Sequence, residues 1–151
     1  MYAPLVRLIE QLLNLTPAHG VLGWASPVPY FGDIDDALVA TVGINPSNRE
    51  FVDSAGQELD GPARRLATLS SLGIADWSRV SGRELSEISR WCSAYFATNP
   101  YRRWFGVLDR TLQSGGLSYY GGRACHLDLV ALATRDKWGN LDPSTRHNLT
   151  S

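Results

Sequence analysis

Cysteine and histidine are scarce in this sequence. The 151 residues contain 2 cysteines, Cys92 and Cys125, and 3 histidines. The two cysteines lie far apart and lack the short spacing of metal ligands, which argues against a zinc site and a disulfide-rich secreted scaffold. We therefore expect two buried, reduced thiols, and neither a metal nor a cofactor.

Long apolar runs are also missing. No apolar stretch reaches the roughly 18 residues that a membrane-spanning helix needs. The apolar start of the chain, MYAPLVRLIEQLLNL, is interrupted by Arg7 and Glu10, which argues against a signal peptide. Apolar residues nevertheless make up 44% of the chain, enough to bury one sizeable core. The sequence thus predicts a single domain over residues 1–151, in a cytoplasmic protein with no membrane partner.

The chain has little net charge and a single lysine. Its net charge is −1, which gives no overall indication of binding to a polyanion. The distribution is uneven, because residues 101–151 hold 7 basic and 4 acidic side chains. Thirteen of the 14 basic residues are arginine, a pattern that fits either phosphate contacts or a compositional bias of the source genome.

Apolar periodicity and capping residues predict several helices. Residues 4–15 place apolar side chains at helical spacing, and Ser81 with Glu84 forms a capping box before a second apolar pattern. Further helices are predicted from Asp60 to Gly73, from the pair Asn99 and Pro100, and from the pair Asp142 and Pro143.

Two apolar segments, 37–42 and about 124–130, are predicted strands. The first lacks alternation, which is typical of a strand covered on both faces. The order strand, helices, strand predicts a parallel α/β sheet. Two strands are few for such a domain, and the last predicted helix stops after about two turns. We therefore expect either that a partner supplies the rest of the sheet or that the chain is a fragment or an abbreviated domain. An exposed sheet edge would favour a homodimer.

The segment ATVGINPSNREF carries the candidate site, because it leaves the first strand through Gly43, Asn45 and Pro46. In parallel sheets, ligands bind beyond the carboxyl ends of the strands. A glycine there admits a ligand close to the backbone, and the proline stiffens the loop around the Asn45 carboxamide. Asp128, near the end of the second strand, can face the same crevice. An ordinary loop, with Asp128 as a helix cap or a partner of that loop, explains the same residues.

Three segments, VGINPS, NPYRRWFGVLDRTL and HLDLVALAT, resemble in this order the elements of the uracil-DNA glycosylase superfamily, especially its mismatch-specific branch. The first motif of that branch is Gly-Ile-Asn-Pro-Gly, which matches Gly43, Ile44, Asn45 and Pro46, with Ser47 in place of the last glycine. The resemblance covers roughly residues 38–135. It implies a three-layer sandwich with a mostly parallel central sheet flanked by helices, and a role in DNA repair by base excision.

The resemblance also implies roles for particular residues. It assigns the orientation of the hydrolytic water to Asn45 and recognition of the base to Asp128. A carboxylate only accepts hydrogen bonds, so cytosine-like or guanine-like edges suit Asp128 better than uracil. Backbone N–H groups near Ile44 and Ser47 are candidates to stabilise the departing base. Phe51 is the nearest aromatic side chain for stacking on a flipped base.

Other residues in the matching segments have more than one explanation. Arg102, Arg103 and Arg110 are candidates for contacts to DNA phosphates, although a solvated helix face predicts the same pattern. Trp104 is assigned to core packing. His126, within an apolar strand, is interpreted as a hydrogen-bonded core histidine.

Two functions remain open from the sequence. The second catalytic motif of the superfamily, a late loop with His or Asn followed by Pro-Ser, has no counterpart here. One hypothesis is a glycosylase that hydrolyses the N-glycosidic bond of uracil or a mismatched base in DNA, with water oriented by Asn45. The other is a non-catalytic or truncated relative that binds a nucleotide base or nucleic acid, or serves in assembly.

Overall fold

A parallel pair of strands positions the candidate site. The computed structural model describes residues 3–15 and 19–150. Strands β1 (Val39–Gly43) and β2 (Ala124–Asp128) pair in parallel, with Gly43 opposite Asp128, so the predicted parallel α/β arrangement is confirmed. Both strands therefore end at the same edge of the sheet. Over the described residues the sheet is accompanied by five α-helices: α1 (Ala3–Asn14), α2 (Leu69–Leu72), α3 (Gly82–Ser93), α4 (Arg102–Ser114) and α5 (Pro143–Thr150).

Strand β2 ends at Asp128 rather than at the predicted Val130. Beyond Asp128 the backbone continues beside the loop that follows β1, because Leu129 N–H donates to the Gly43 carbonyl at 3.2 Å and Val130 N–H donates to the Ile44 carbonyl at 2.8 Å. These two hydrogen bonds fix the loop after β1 against the chain that follows β2.

Three helices follow the sequence signals closely. Helix α1 buries Leu5, Ile9 and Leu12 on one face, as the spacing predicts. Helix α3 begins with the predicted capping box, in which Ser81 N–H donates to the Glu84 carboxylate at 3.0 Å. Helix α5 follows Asp142, whose carboxylate accepts from Thr145 N–H at 3.0 Å. The predictions of these three helices are confirmed.

The predicted helix from Asp60 to Gly73 is wrong as a single element. A 3₁₀ turn (Gly61–Ala63) gives way to extended backbone, and a separate capping box at Thr68 begins the short helix α2. The extended part pairs with an earlier segment, since Ser26 N–H donates to the Ala67 carbonyl at 3.1 Å. Tertiary hydrogen bonds thus replace the helical ones here.

The start of α4 was also mispredicted. Tyr101 is the N-cap of this helix and makes no side-chain capping bond. Asn99 does not cap it, because its amide donates instead to the Ala63 carbonyl at 2.8 Å. The predicted apolar face of this helix is present, with Phe105 buried and Leu108 and Leu112 partly buried against the core.

The two faces of the sheet differ, which overturns the expectation that β1 is covered on both. Thr41 and Gly43 lie on the partly buried face of β1, and His126 is buried on β2. On the other face Val42 is 65% exposed, and Leu38 before β1 is 66% exposed. A continuous apolar run therefore did not mean two-sided burial, because no described residue covers this outer face enough to bury it.

The buried apolar residues form one continuous cluster. Helices α1, α3, α4 and α5 each contribute to it, and β2 contributes Ala124. Cys92 and Cys125 are both buried free thiols, as expected from the sequence. Within the described residues, no helix is both long and apolar enough to cross a membrane.

Candidate functional site

A cleft of about 1090 Å³ lies at the carboxyl ends of β1 and β2. Its walls come from the loop and 3₁₀ turn after β1, the end of β2, the start of α4 and the segment 134–140. Of the residues predicted for the site, the cleft includes Gly43, Ile44, Asn45, Pro46, Ser47, Asp128 and Arg103. The structure therefore brings the loop after β1 and the end of β2 together at one cleft.

Gly43 is required by the close approach of β2 side chains. A Cβ atom at this position would lie 2.3 Å from Asp128 Oδ1 and 2.8 Å from His126 Nε2. Such separations are too short for nonbonded atoms, so any side chain here would displace the two groups. The glycine thus lets the Asp128 carboxylate lie directly against the end of β1.

A hydrogen-bonded chain holds Asp128 in place. The hydroxyl oxygens of Tyr119 and Thr41 lie 2.5 Å apart, and the Thr41 hydroxyl oxygen lies 2.6 Å from His126 Nδ1. On its other side, His126 Nε2 lies 3.3 Å from Asp128 Oδ1. His126 is buried with both ring nitrogens partnered, which fits the histidine predicted from the sequence, and it also lines the cleft. The Asp128 side chain is 4% exposed.

Asn45 is oriented by contacts to its amide nitrogen. Nδ2 donates to Thr134 Oγ1 at 3.0 Å and to the Leu132 carbonyl at 3.4 Å. Among the described residues, no hydrogen bond uses the Asn45 carbonyl oxygen, Oδ1. This arrangement fixes the carboxamide by its donor end and leaves its acceptor end available in the cleft.

The rest of the loop has distinct roles. Pro46 is buried, whereas Ser47 is exposed and its hydroxyl accepts from Arg49 N–H at 3.2 Å, which caps the 3₁₀ turn (Asn48–Glu50). Within the described part of the chain, no hydrogen bond uses the backbone N–H of Ile44 or Ser47. Both groups remain available as donors.

Phe51 requires a correction. Its side chain is buried in the core, where it contacts Trp24 edge-on at 6.2 Å between ring centroids, and it does not line the cleft. Because the Phe51 side chain is buried, its ring is not accessible for stacking on a base. Trp104 was likewise misassigned to the core, because it is 56% exposed and lines the cleft. The other aromatic residues that line the cleft are Phe31, Tyr101, Phe105 and Trp138.

Four basic side chains line the cleft and form what we call the basic rim: Arg49, Arg103, Arg135 and Lys137. Of the three arginines predicted to contact phosphates, Arg103 alone belongs to this rim. Arg102 instead lies over the Tyr120 ring, 4.2 Å from its centroid, and Arg110 does not line the cleft. The three arginines of α4 therefore do not form a single surface along the cleft.

Glu50 is a cleft residue that sequence reasoning missed. It is 2% exposed, and Tyr95 donates its hydroxyl hydrogen to Glu50 Oε2. Burial raises the pKa of Glu50 to about 7 and the nearby Asp128 charge adds to the rise, while the Tyr95 hydrogen bond and Arg65 oppose it. No signal marked this residue, because an acidic residue beside Arg49 in a polar turn normally indicates a solvated surface.

The segment 135–138, which supplies two of the basic rim residues, was also missed, since its polar composition indicates only a loop. Among the described residues, no group of three or more histidine, cysteine, aspartate or glutamate side chains is arranged to hold a metal ion. Comparison of the sequence with models of known protein families found no match, and comparisons with curated proteins and with solved structures found none either.

Proposed function

We propose that this chain is a glycosylase-like hydrolase that cleaves the N-glycosidic bond between a base and its sugar in DNA. The proposal rests on the cleft at the strand ends, which both Asn45 and Asp128 line. Among the described residues, the Asn45 carbonyl oxygen has no hydrogen-bond partner. The resemblance of VGINPS to the first glycosylase motif points to the same residues.

Hydrolysis of this bond needs a positioned water and an acceptor for its proton. Asn45 Oδ1 accepts a hydrogen bond from the water, because its amide end is already bound to Thr134 and Leu132. An amide cannot take up the proton, whereas a carboxylate can. We assign that step to Asp128, which His126 holds against the end of β1. In this proposal Asp128 accepts a proton instead of recognising the base, which is the role that the resemblance implied.

The surroundings of the cleft suit a nucleic acid. The basic rim offers positive charge to phosphates, and exposed Trp104 offers an aromatic face to a base. These features also favour a second candidate, nucleic-acid binding without hydrolysis, since neither requires bond cleavage.

The proposal extends to the fold. A three-layer glycosylase-like sandwich has helices on both faces of its sheet, and the apolar outer face around Val42 is a surface that a further layer would cover. The parallel pairing of β1 and β2 and the site at their carboxyl ends are consistent with that architecture.

The decisive experiment is single-turnover release of base from labelled duplexes that carry uracil, hypoxanthine or mismatched thymine. We expect release by the wild type and a decrease of about 10²-fold in Asn45→Ala, because the water loses its orientation. Asn14→Ala removes the same group at the end of α1, outside the cleft, and should release base at the wild-type rate. No release from any duplex by the folded wild type would refute hydrolysis.

Binding of the same duplexes separates the second candidate. Fluorescence anisotropy over a series of salt concentrations should show that Arg103→Gln lowers the salt dependence by about one phosphate contact. Arg110→Gln on the same helix should leave it unchanged, since this residue does not line the cleft. Binding with this pattern but without base release would favour the binding function.

A further inference from the structure

We propose that Glu50 is the proton donor of this site, giving the hydrogen on Oε1 to the departing base, an inference that rests on the proposed function. Glu50 belongs to the 3₁₀ turn (Asn48–Glu50) that follows the Asn45 loop, and both side chains line the cleft. A carboxyl group so placed can act on the base while Asn45 and Asp128 act on the water.

The hydrogen bonds around Tyr95 determine which Glu50 oxygen carries the proton. Tyr101 N–H donates to the Tyr95 hydroxyl oxygen at 2.9 Å. The hydroxyl hydrogen of Tyr95 is therefore directed to its other neighbour, Glu50 Oε2, which accepts it. Because Oε2 already accepts this hydrogen bond, the acidic proton of a neutral Glu50 resides on Oε1.

Glu50 lines the cleft, and Oε1 is the carboxyl oxygen that Tyr95 does not bind. Within the described residues it makes no hydrogen bond, and the fully enclosed side-chain atoms without a partner are Ser26 Oγ and Tyr120 OH. Oε1 is thus not paired with any described residue, and it is not one of the fully enclosed atoms. A buried carboxyl group with one oxygen clamped and the other open is arranged to donate to a ligand.

Burial, more than the charged groups around it, raises the pKa of Glu50 into the neutral range. No described cation forms an ion pair with it. Arg65 is the cation that acts on it, but this guanidinium donates to the carbonyls of Arg49 and Asn99. Asp128 faces it from β2 and opposes its ionisation, and burial raises the pKa of Glu50 to about 7. The other titratable or charged groups that line the cleft are Tyr101, His126, Asp136 and the basic rim.

The proposed step balances in atoms and charge. Water forms a bond to the anomeric carbon of the sugar as the bond from that carbon to the base nitrogen breaks, and the bonding electron pair leaves with the base. The Oε1 proton of Glu50 goes to the base, which departs neutral. One water proton goes to the Asp128 carboxylate, so the pair Glu50 and Asp128 exchanges its protonation states. Solvent then returns a proton from Asp128 to Glu50.

The test compares Glu50→Gln with the wild type and with Glu10→Gln, which makes the same change on the exposed side of α1. Glutamine keeps the shape of the side chain and the acceptor for Tyr95 but has no acidic proton. We expect single-turnover release of uracil to decrease by about 10²- to 10⁴-fold in Glu50→Gln and to stay unchanged in Glu10→Gln. Wild-type release should also decline as the pH rises above about 7, and this decline should be absent in Glu50→Gln.

A substrate with a better leaving group distinguishes proton donation from a structural role. The 5-fluorouracil anion is more stable than the uracil anion, so its departure depends less on a proton. We expect Glu50→Gln to lose much less activity on a duplex with 5-fluorouracil than on one with uracil. Equal losses on the two duplexes, or an unchanged rate with uracil, would overturn the proposal.

Proton uptake provides a readout that does not depend on hydrolysis. Calorimetric titration of free uracil in buffers of different ionisation enthalpy, slightly above pH 7, should show uptake of protons by the wild type and none by Glu50→Gln. If no duplex is cleaved but this difference is present, the proposed hydrolysis fails, and the protonated Glu50 carboxyl still donates a hydrogen bond to a bound base. Equal uptake by both proteins, or none by either, contradicts that donation.

Discussion

Replacing Glu50 with glutamine should change the pH dependence of stability in a defined way. The pKa of Glu50 is raised from the ordinary value of 4.5 to about 7, chiefly by burial. The folded protein therefore binds this proton more tightly than the unfolded chain, and its stabilising contribution is complete below about pH 4.5 and is lost as the pH rises toward 7. Glutamine cannot ionise, so Glu50→Gln should escape this loss.

The magnitude follows from the two pKa values. Each unit of difference corresponds to about 1.4 kcal/mol, so the wild type loses about 1 kcal/mol by pH 5 and about 3 kcal/mol by pH 7 through Glu50 alone. The difference in the free energy of unfolding between Glu50→Gln and the wild type should increase by that amount over this range. For a chain of this length, 3 kcal/mol corresponds to roughly 6 to 12 °C in Tm.

Urea unfolding followed by tryptophan fluorescence, repeated from about pH 4.5 to 8, measures this difference. Titrations of other groups largely cancel between the two proteins, because Glu50→Gln leaves those groups in place. Glu10→Gln should show an almost constant difference from the wild type over the same range, since Glu10 is exposed. A difference for Glu50→Gln that does not vary with pH would refute the assignment of a neutral, buried carboxyl group.

Two further predictions concern packing. Gly43→Ala should destabilise the protein by about 1–3 kcal/mol and slow the release of base, because the new Cβ displaces Asp128 and His126. Urea unfolding measures the first effect, and the release assay measures the second. Wild-type values in both experiments would contradict the close approach of these side chains to Gly43. Leu132→Ala should lower the free energy of unfolding by about 2–5 kcal/mol, because Leu132 is 1% exposed. The matched change Leu129→Ala should lower it by less than about 0.5 kcal/mol, because Leu129 is 76% exposed. Equal losses of unfolding free energy in the two variants would contradict this difference in burial.

Local signals in the sequence predicted a large part of the fold. Helices α1 and α3 are specified by apolar spacing and, for α3, by a capping box, both of which act within a few residues. The segment from Asp60 to Gly73 could not be predicted in this way. Its backbone pairs with residues 25–26, far away in the sequence, and this pairing outweighs a local helix signal.

The candidate site was predicted in its framework but not in its full set of side chains. Asn45 and Asp128 lie on one cleft because parallel strands end at the same edge, a rule that needs no tertiary detail. Glu50 and Trp104 depend on detail that the sequence does not show. An acidic residue in a polar turn is normally exposed and a tryptophan in a helix is normally packed, and here packing of the loop against Tyr95 reverses the first expectation.

The groups that reduce stability are concentrated at the strand ends. Glu50 is buried without an ion pair among the described residues, although a surface position or an apolar residue would make the fold more stable at neutral pH. The Asp128 carboxylate is also buried, with His126 as its partner. Its negative charge disfavours the ionised form of Glu50. A chain selected for stability alone would not keep two buried carboxyl groups in one cleft, whereas the proposed hydrolysis of a glycosidic bond uses one that donates a proton and one that accepts it. The position of these unfavourable groups, in the same cleft as Asn45, is therefore a physical reason to assign the proposed chemistry to this cleft.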